Sequence, residues 1–172
     1  MEKVDVLLAT YNGEKYLKEQ IDSILGQTYS DFRLLISDDG STDGTRKILE
    51  EYKNKDSRIQ VFFQESNLGV VKNFEFLLKK VESKYYMFSD QDDIWKTEKI
   101  EKSLNKIESD NCDLVYSDLE VVDEDLNVTF DQNVVIAVDD YYDRKKSIEF
   151  AGWIYDVDYE FLAKDNVIQV VT

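Results

Sequence analysis

The chain has 172 residues, a length that allows one compact domain with a substantial core. Its 21 basic and 37 acidic residues give a formal net charge of −16, which disfavours polyanionic partners such as nucleic acid and anionic membrane surfaces. A hydrophobic content of 42%, with 13% aromatic residues, is too high for a disordered acidic chain. The composition therefore predicts a globular protein and excludes general nucleic-acid binding.

Few residue types are available to hold a metal or to form a covalent cross-link. Histidine is absent, so a bound metal needs oxygen ligands, which favours magnesium or manganese. The single cysteine, Cys112, excludes an internal disulfide and is interpreted as a buried apolar residue in a reducing compartment. The first residues lack a long apolar stretch, so we expect neither a signal peptide nor a spanning helix, and we predict a cytoplasmic protein.

Strands and helices alternate along the first two thirds of the chain. Short apolar, β-rich runs predict strands at 4–9, 32–37, 59–64 and 85–89. Helical spacing and capping residues predict helices over 14–25, from Ser41 or Thr42 to about 52, over 70–81 and over 97–107. Strands that are apolar on both faces and alternate with helices indicate a doubly wound, mostly parallel α/β sheet with helices on both faces.

The pattern becomes less regular after Cys112. Irregular or antiparallel strands are predicted first, then a short helix over 156–164 and a strand over 167–171. No proline and no glycine-rich linker separates the two parts. We therefore predict one domain over 1–172 that ends in a short mixed C-terminal part.

A polar segment follows each predicted strand. These segments read TYNG, DDGSTDGT, ESNLG and SDQDD in chain order. Ligands of open parallel sheets bind at the carboxyl ends of the strands. The four segments therefore predict a single binding site at one edge of the sheet.

Three carboxylates are crowded into the last of these segments, at Asp90, Asp92 and Asp93. Their mutual repulsion is costly unless a cation or hydrogen-bond donors offset it, and a divalent ion would do so. Asp90 and Asp92 share a face in an extended segment, so one can contact the ion and the other a sugar hydroxyl, while Gln91 points elsewhere. The alternative is that Asp92 or Asp93 caps a helix that begins near Trp95.

The first two segments suit recognition of a flat ring. Asp39 can accept a hydrogen bond from a nucleobase N–H, and Thr10 and Tyr11 offer a hydroxyl and an aromatic face for stacking. Alternatives remain for both segments, because Tyr11 can instead be packed in the interior. A turn with a helix cap accounts for the other residues of the second segment, namely Gly40, Ser41, Asp43 and Gly44.

Together these residues resemble a known family. The ordered segments LLATYNGEKYLKEQIDSILGQTY, LLISDDGSTDGT, NLGVVKNF and FSDQDDIW, within 4–123, are similar to inverting family 2 glycosyltransferases of the GT-A fold, particularly bacterial rhamnosyltransferase-like enzymes. The resemblance implies transfer of a sugar from a UDP- or dTDP-sugar to an acceptor hydroxyl in surface polysaccharide synthesis, with Mn²⁺ or Mg²⁺ on the diphosphate. It implies nucleotide-sugar contacts at Thr10, Tyr11, Asn12, Asp39, Asn67, Gly69, Lys72 and Asp90, and a metal ligand at Asp92.

The acceptor side is less similar to the family. Residues 1–123 would bind the nucleotide-sugar, and 124–172 would form a short, atypical part that contacts a saccharide or lipid-linked acceptor. By resemblance Asp156, ahead of a predicted helix, is the candidate catalytic base, with an ordinary surface turn as the alternative. Peripheral membrane association through the acceptor or a partner is compatible with this assignment.

Two other functions compete with this interpretation. The chain can be an inactive or incomplete nucleotide-sugar-binding module that needs a partner or a further C-terminal region. It can also be a magnesium-dependent phosphohydrolase with Asp90 as nucleophile. Against the second, the nucleophile of such enzymes normally follows the first strand, whereas Asp90 follows the fourth predicted strand.

Overall fold

The computed structural model describes residues 2–115 together with Ser117, Val122, Asp123 and Leu126. Four strands and four helices alternate in this part of the chain, as predicted. Their bounds are β1 Val4–Thr10, α1 Leu17–Leu25, β2 Phe32–Asp38, α2 Thr45–Lys55, β3 Ile59–Phe63, α3 Val70–Leu78, β4 Tyr85–Ser89 and α4 Lys99–Asp110.

The four strands form one parallel sheet in the order β3-β2-β1-β4. In its register Val4 lies beside Phe32 on one side and beside Tyr85 on the other. Strand β1 is therefore central, and all seven of its residues are buried. The predicted α/β class is confirmed, and the parallel arrangement brings the carboxyl ends of all four strands to the same edge.

The core has two layers because side chains alternate across the pleat of each strand. Val6 and Leu8 of β1 face one layer, which contains the apolar faces of α1, α2 and α4. Leu7 faces the other layer, where Leu77 of α3 packs against it. Full burial of one such aliphatic side chain is worth about 1.5–3 kcal/mol, so both faces of the sheet contribute to stability. The predicted helices on both faces are confirmed.

One charged residue, Asp5, is completely buried within β1. Both of its oxygens accept from Arg33 at 2.8 Å, and the backbone N–H groups of Glu82 and Ser83 donate to it at 2.9 and 3.0 Å. Burial alone would raise the pKa of Asp5, but these donors outweigh it and hold the pKa below its ordinary value. The carboxylate thereby ties β2 and the start of β4 to β1 at the amino edge of the sheet.

Helices α1, α2 and α4 begin later than predicted, because the residues ahead of them bind other loops. Helix α2 begins at Thr45 instead of Ser41 or Thr42, since Ser41 Oγ accepts from Asn12 N–H at 2.8 Å. Helix α4 begins two residues after Thr97, whose carbonyl accepts from Thr28 N–H at 2.9 Å. The helix starts differ from the prediction at Leu17, Thr45 and Lys99, and the ends of α2, α3 and α4 differ at Lys55, Leu78 and Asp110. The ends of β1, β2 and β3 differ by one residue each.

Some expectations lie outside the described residues. These are the short helix over 156–164, the strand over 167–171 and the rest of the mixed C-terminal part. Cys112 is half-buried and packs against the core layer that contains the apolar faces of α1, α2 and α4. Within the described ranges, no helix is both long enough and apolar enough to cross a membrane.

Candidate functional site

Four loops lie at the carboxyl edge of the sheet. We name them after the preceding strand: the β1 loop (11–16), the β2 loop (39–44), the β3 loop (64–69) and the β4 loop (90–98). Side-chain hydrogen bonds join the β1 loop to the β2 and β4 loops and the β2 loop to the β3 loop. The predicted convergence of the polar segments on one edge is therefore confirmed.

Asn12 joins the β1 and β2 loops. Its backbone N–H donates to Ser41 Oγ at 2.8 Å, and its side-chain oxygen accepts from Thr42 N–H at 2.9 Å. Its φ of 50° is in the left-handed region, which asparagine adopts more readily than most residues. The geometry thus gives Asn12 an organising role, and any contact with a ligand would be additional to it.

Thr10 and Tyr11 are joined to the β4 loop by one side chain. The Thr10 hydroxyl and the Tyr11 backbone N–H both donate to Gln91 Oε1, at 2.7 and 2.9 Å. Thr10 is buried, whereas Tyr11 is 45% exposed at the edge of the sheet. The alternative that Tyr11 is packed in the interior is therefore wrong, and its ring is accessible for stacking.

The two adjacent acids of the β2 loop region have different partners. Asp38, fully buried, forms an ion pair with Arg46 Nε at 2.9 Å. Asp39 is only 3% exposed, and its two oxygens accept from the backbone N–H groups of Leu68 and Gly69 at 2.7 and 2.9 Å. Each carboxylate oxygen has two lone pairs, so Asp39 keeps acceptor capacity for a ligand N–H.

The β3 loop carries the other predicted contacts beside the nucleotide. Asn67 is exposed, and its side-chain oxygen accepts from Gly69 N–H at 3.0 Å. Gly69 has a φ of 84°, a conformation that favours glycine, at the point where α3 begins. Lys72 is exposed in the first turn of α3. Asp39 therefore fixes this loop, while Asn67 and Lys72 stay accessible.

The β4 loop concentrates negative charge. Asp90 and Asp92 are exposed residues and Asp93 is half-buried. Protein atoms around the carboxyl of Asp90, followed by the charges of Asp93 and Asp92, raise the pKa of Asp90 to about 6. Helix α4 begins at Lys99 with no side-chain cap, so the alternative that Asp92 or Asp93 caps it is wrong.

The acids of the β4 loop fit a cation that has additional ligands. Among the residues that the structure describes, no group of three acidic or cysteine side chains is arranged to hold a metal ion. Magnesium-type ions are commonly bound by one or two carboxylates together with substrate phosphates and water. Asp90 and Asp92 therefore suit a metal that a diphosphate also coordinates.

Polar residues in and just after helix α1 form hydrogen bonds that hold the β4 loop in place. The sequence analysis did not identify these residues. Gln20, fully buried, is hydrogen-bonded to Ser89 Oγ at 2.6 Å and lies within hydrogen-bonding distance of the Trp95 indole N–H. Ser23 Oγ accepts from the Trp95 backbone N–H at 3.0 Å. Gln27 continues the contact with bonds to Lys96 O and Ile100 N–H. The sequence feature that could have identified them is the presence of polar residues on an otherwise apolar helix face.

Lys99 lies beside this loop at the start of α4. Its ammonium is 4.7 Å from the centre of the Trp95 ring, a cation–π contact. Burial lowers the pKa of Lys99 to about 8, although the charge of Asp93 acts in the opposite direction.

Two cavities of about 340 Å³ lie elsewhere. One is lined by residues around Arg33 and Glu82, and the other by the start of β4 and the end of α4. Neither includes a residue of the four loops, so both lie apart from the candidate site.

Known proteins with similar sequences belong to the family that the ordered motifs resemble. The model of Glycosyl transferase family 2 matches residues 5–163. The chain is 33% identical over 120 residues to "UDP-Glc:alpha-D-GlcNAc-diphosphoundecaprenol beta-1,3-glucosyltransferase WfgD" of Escherichia coli, covering 69% of this chain and 46% of that protein. It is 38% identical over 117 residues to "dTDP-rhamnosyl transferase RfbG" of Shigella flexneri, covering 65% and 40%.

A solved structure shows the same architecture. The crystal structure of residues 1–349 of TarS from S. aureus, in complex with UDP-GlcNAc, matches with a TM-score of 0.64 and 32% identity, over 69% of this chain and 35% of that one. The chain spans less than half the length of each of these relatives. The resemblance inferred from the ordered motifs is confirmed, and the chain belongs to glycosyltransferase family 2.

Proposed function

We propose that the carboxyl edge of the sheet binds a UDP- or dTDP-sugar and that the sugar is transferred, with inversion, to an acceptor hydroxyl in bacterial surface polysaccharide synthesis. The observation that carries this proposal is that an accessible aromatic face, Tyr11, and an accessible acidic pair, Asp90 and Asp92, are joined at one edge through Gln91. The UDP-GlcNAc complex of TarS and the activities named for WfgD and RfbG support the donor class.

The nucleobase and ribose would lie between the β1, β2 and β3 loops. The exposed ring of Tyr11 offers a stacking surface, and Asp39 has acceptor capacity left for a base N–H. Thr10 and Asn12 hold the β1 loop in place, so their contribution to binding is to shape this surface. Asn67 would complete the pocket on the β3 side.

The diphosphate would lie toward the β4 loop. A protein with a net charge of −16 repels a diphosphate, and a divalent cation held by Asp92, with Asp90 beside it, removes that repulsion. When bound, Mn²⁺ or Mg²⁺ would supply charge neutralisation of the departing nucleoside diphosphate. Lys72 at the start of α3 and the backbone of Gly69 would approach the nucleotide from the other side.

The acceptor half of the reaction depends on the later part of the chain. We propose Asp156, which lies outside the described residues, as the carboxylate that removes the acceptor proton. WfgD is named as a glucosyltransferase that acts on a sugar linked to diphosphoundecaprenol, which supports a saccharide or lipid-linked acceptor here. Peripheral association with the cytoplasmic face of the membrane, through that acceptor or a partner, is part of the proposal. A donor-binding module that needs a further region is the second candidate, because the contacts described at the carboxyl edge are all assigned to the donor side.

Calorimetry with UDP, dTDP and GDP, each with and without Mn²⁺, tests the proposal. We expect UDP or dTDP to bind, and to bind more tightly with Mn²⁺. Asp110→Asn is a matched control, because Asp110 is an acidic residue at the far end of α4 and its exchange should leave the affinities unchanged. Failure of all three nucleotides to bind would contradict the donor site, and slow donor hydrolysis without transfer to any acceptor would identify the incomplete module.

A further inference from the structure

Gln91 occupies a central place between two loops. It lies between Asp90 and Asp92 in sequence, and its Oε1 accepts from the Thr10 hydroxyl at 2.7 Å and from Tyr11 N–H at 2.9 Å. The two donors are 81 and 80 residues away along the chain. One amide oxygen therefore links the acidic loop to the residue that carries the aromatic face.

The sheet places Gln91 at this position. Strands β1 and β4 pair in register up to Leu8 beside Ser89. Two residues further along both strands, the same register brings Thr10 opposite Gln91. The side chain of Gln91 thus continues the connection between the strands where the backbone ladder ends.

Gly13 gives independent evidence that this contact is close. A Cβ atom at Gly13 would lie 2.5 Å from Gln91 Oε1 and 2.8 Å from Thr10 Oγ1, both shorter than real Cβ contacts. The absence of a side chain at this buried position therefore lets the Gln91 amide reach the β1 loop.

The position of the Tyr11 ring depends on its backbone. The ring is 45% exposed, so packing alone constrains it weakly. Its own N–H is held by Gln91, and the next N–H along the chain, that of Asn12, is held by Ser41 Oγ at 2.8 Å. Removing the Gln91 acceptor frees one of these two fixed points and also leaves the hydroxyl of the buried Thr10 without its Gln91 partner.

We propose that Gln91 is a positioning residue that holds the aromatic face of Tyr11 at a fixed place relative to Asp90 and Asp92. This role rests on the nucleotide function proposed above. It identifies Gln91 as the residue that sets the distance between the bound base and the bound diphosphate. Gln91 acts through Tyr11 and needs no contact with the ligand. Its loss should therefore weaken recognition of the base more than recognition of the diphosphate.

The test compares UDP with inorganic pyrophosphate, both in saturating Mn²⁺, by calorimetry on the full chain. Gln91→Met removes the acceptor, and Gln91→Glu retains it. Gln60→Met is the matched control, since Gln60 is an exposed glutamine within β3 and outside the four loops. Thr10→Val removes one donor without changing the β4 loop and serves as a second variant.

The decisive quantity is the ratio of the UDP affinity to the pyrophosphate affinity. Gln91→Met should lower it about tenfold, the effect of one or two lost hydrogen bonds, and Thr10→Val by less. Gln91→Glu should keep the ratio even if its charge weakens both ligands, and Gln60→Met should leave it unchanged. Tyr11→Ala should lower the ratio, and adding Gln91→Met to it should lower it no further.

Two outcomes would overturn the positioning role while leaving the nucleotide site intact. One is an unchanged ratio in Gln91→Met, including an equal loss for both ligands, which would mark a merely structural role. The other is full additivity with Tyr11→Ala. If the unmodified protein binds neither ligand, the proposed function fails and the positioning role fails with it.

Discussion

Replacement of Asp39 by asparagine can separate the contribution of this side chain to stability from its contribution to nucleotide binding. Both Asp39 oxygens accept backbone N–H groups, from Leu68 at 2.7 Å and from Gly69 at 2.9 Å, in a side chain that is 3% exposed. Asparagine has nearly the same shape but only one acceptor oxygen, and its NH₂ group would face a second donor. One of these two half-buried hydrogen bonds is then lost.

The magnitude follows from the chemistry of these two bonds. A hydrogen bond to a charged group contributes about 1.5–3 kcal/mol, and the cost of a buried donor without a partner is similar. We therefore expect Asp39→Asn to lower the free energy of unfolding by about 2 kcal/mol. If Asp39 also accepts from the base, UDP affinity should fall at least about tenfold beyond any effect of partial unfolding.

Urea denaturation, amide hydrogen exchange and calorimetry with UDP measure these effects on one variant. Exchange should accelerate at whichever of the Leu68 and Gly69 amides faces the new NH₂ group, and by less at Gly69, whose N–H also donates to Asn67 Oδ1 at 3.0 Å. Asp38→Asn is the matched control, since Asp38 pairs with Arg46 at 2.9 Å and its loss should leave those two amides protected. Unchanged exchange in Asp39→Asn would refute the structural argument, and unchanged UDP affinity in a folded variant would refute the ligand contact.

Three further predictions concern the carboxylates assigned to metal binding and catalysis. Asp92→Asn should weaken UDP binding in Mn²⁺ while leaving thermal stability intact, and unchanged affinity in a metal titration would remove Asp92 from the metal site. Because the pKa of Asp90 is raised to about 6, its ionised form is lost as the pH falls below that value, so Mn²⁺-dependent UDP binding should weaken there. Asp90→Asn should remove the part of this pH dependence that does not come from the nucleotide phosphates. Asp156→Asn should retain donor and metal affinity but lose transfer by about 10²- to 10⁴-fold, and transfer at the unmodified rate would exclude Asp156 as the base.

The sheet and its ligand-binding edge could be predicted because both depend on local patterns. The apolar runs of β1 and β2 are buried on both faces, which a continuous run of aliphatic residues already indicates. Parallel strands then require their following loops to meet at one edge. The same reasoning predicted an exposed aromatic ring and an acidic loop there, and the structure places Tyr11, Asp90 and Asp92 accordingly.

The contacts that organise the loops could not be predicted from local patterns. Gln20 reaches Ser89, and Gln91 reaches Thr10, across 69 and 81 residues of sequence. A glutamine in a helix or a loop carries no sign of such a partner. The late start of α2 has the same origin, because Ser41 binds the β1 loop instead of capping a helix at its own position.

The acidic side chains at the carboxyl edge differ in which protein groups stabilise their negative charge. Asp38 is paired with Arg46, Asp39 binds two backbone N–H groups, and Asp43 accepts from the N–H groups of Glu14 and Thr45. Asp90 and Asp92 are exposed residues, and among the residues that the structure describes no hydrogen bond or ion pair is formed with either carboxylate.

A carboxylate whose charge the fold already satisfies gains little from a cation, whereas two clustered carboxylates without donors gain the most. Among these acids, a divalent ion is therefore attracted first to the β4 loop. In the proposed complex, a diphosphate that shares the ion would lie on the same loop, and the Gln91 hydrogen bonds would set how far from it a base stacked on Tyr11 lies. The distribution of internal partners among the acids thus orients the proposed donor, with its diphosphate over the β4 loop and its base over the β1 loop.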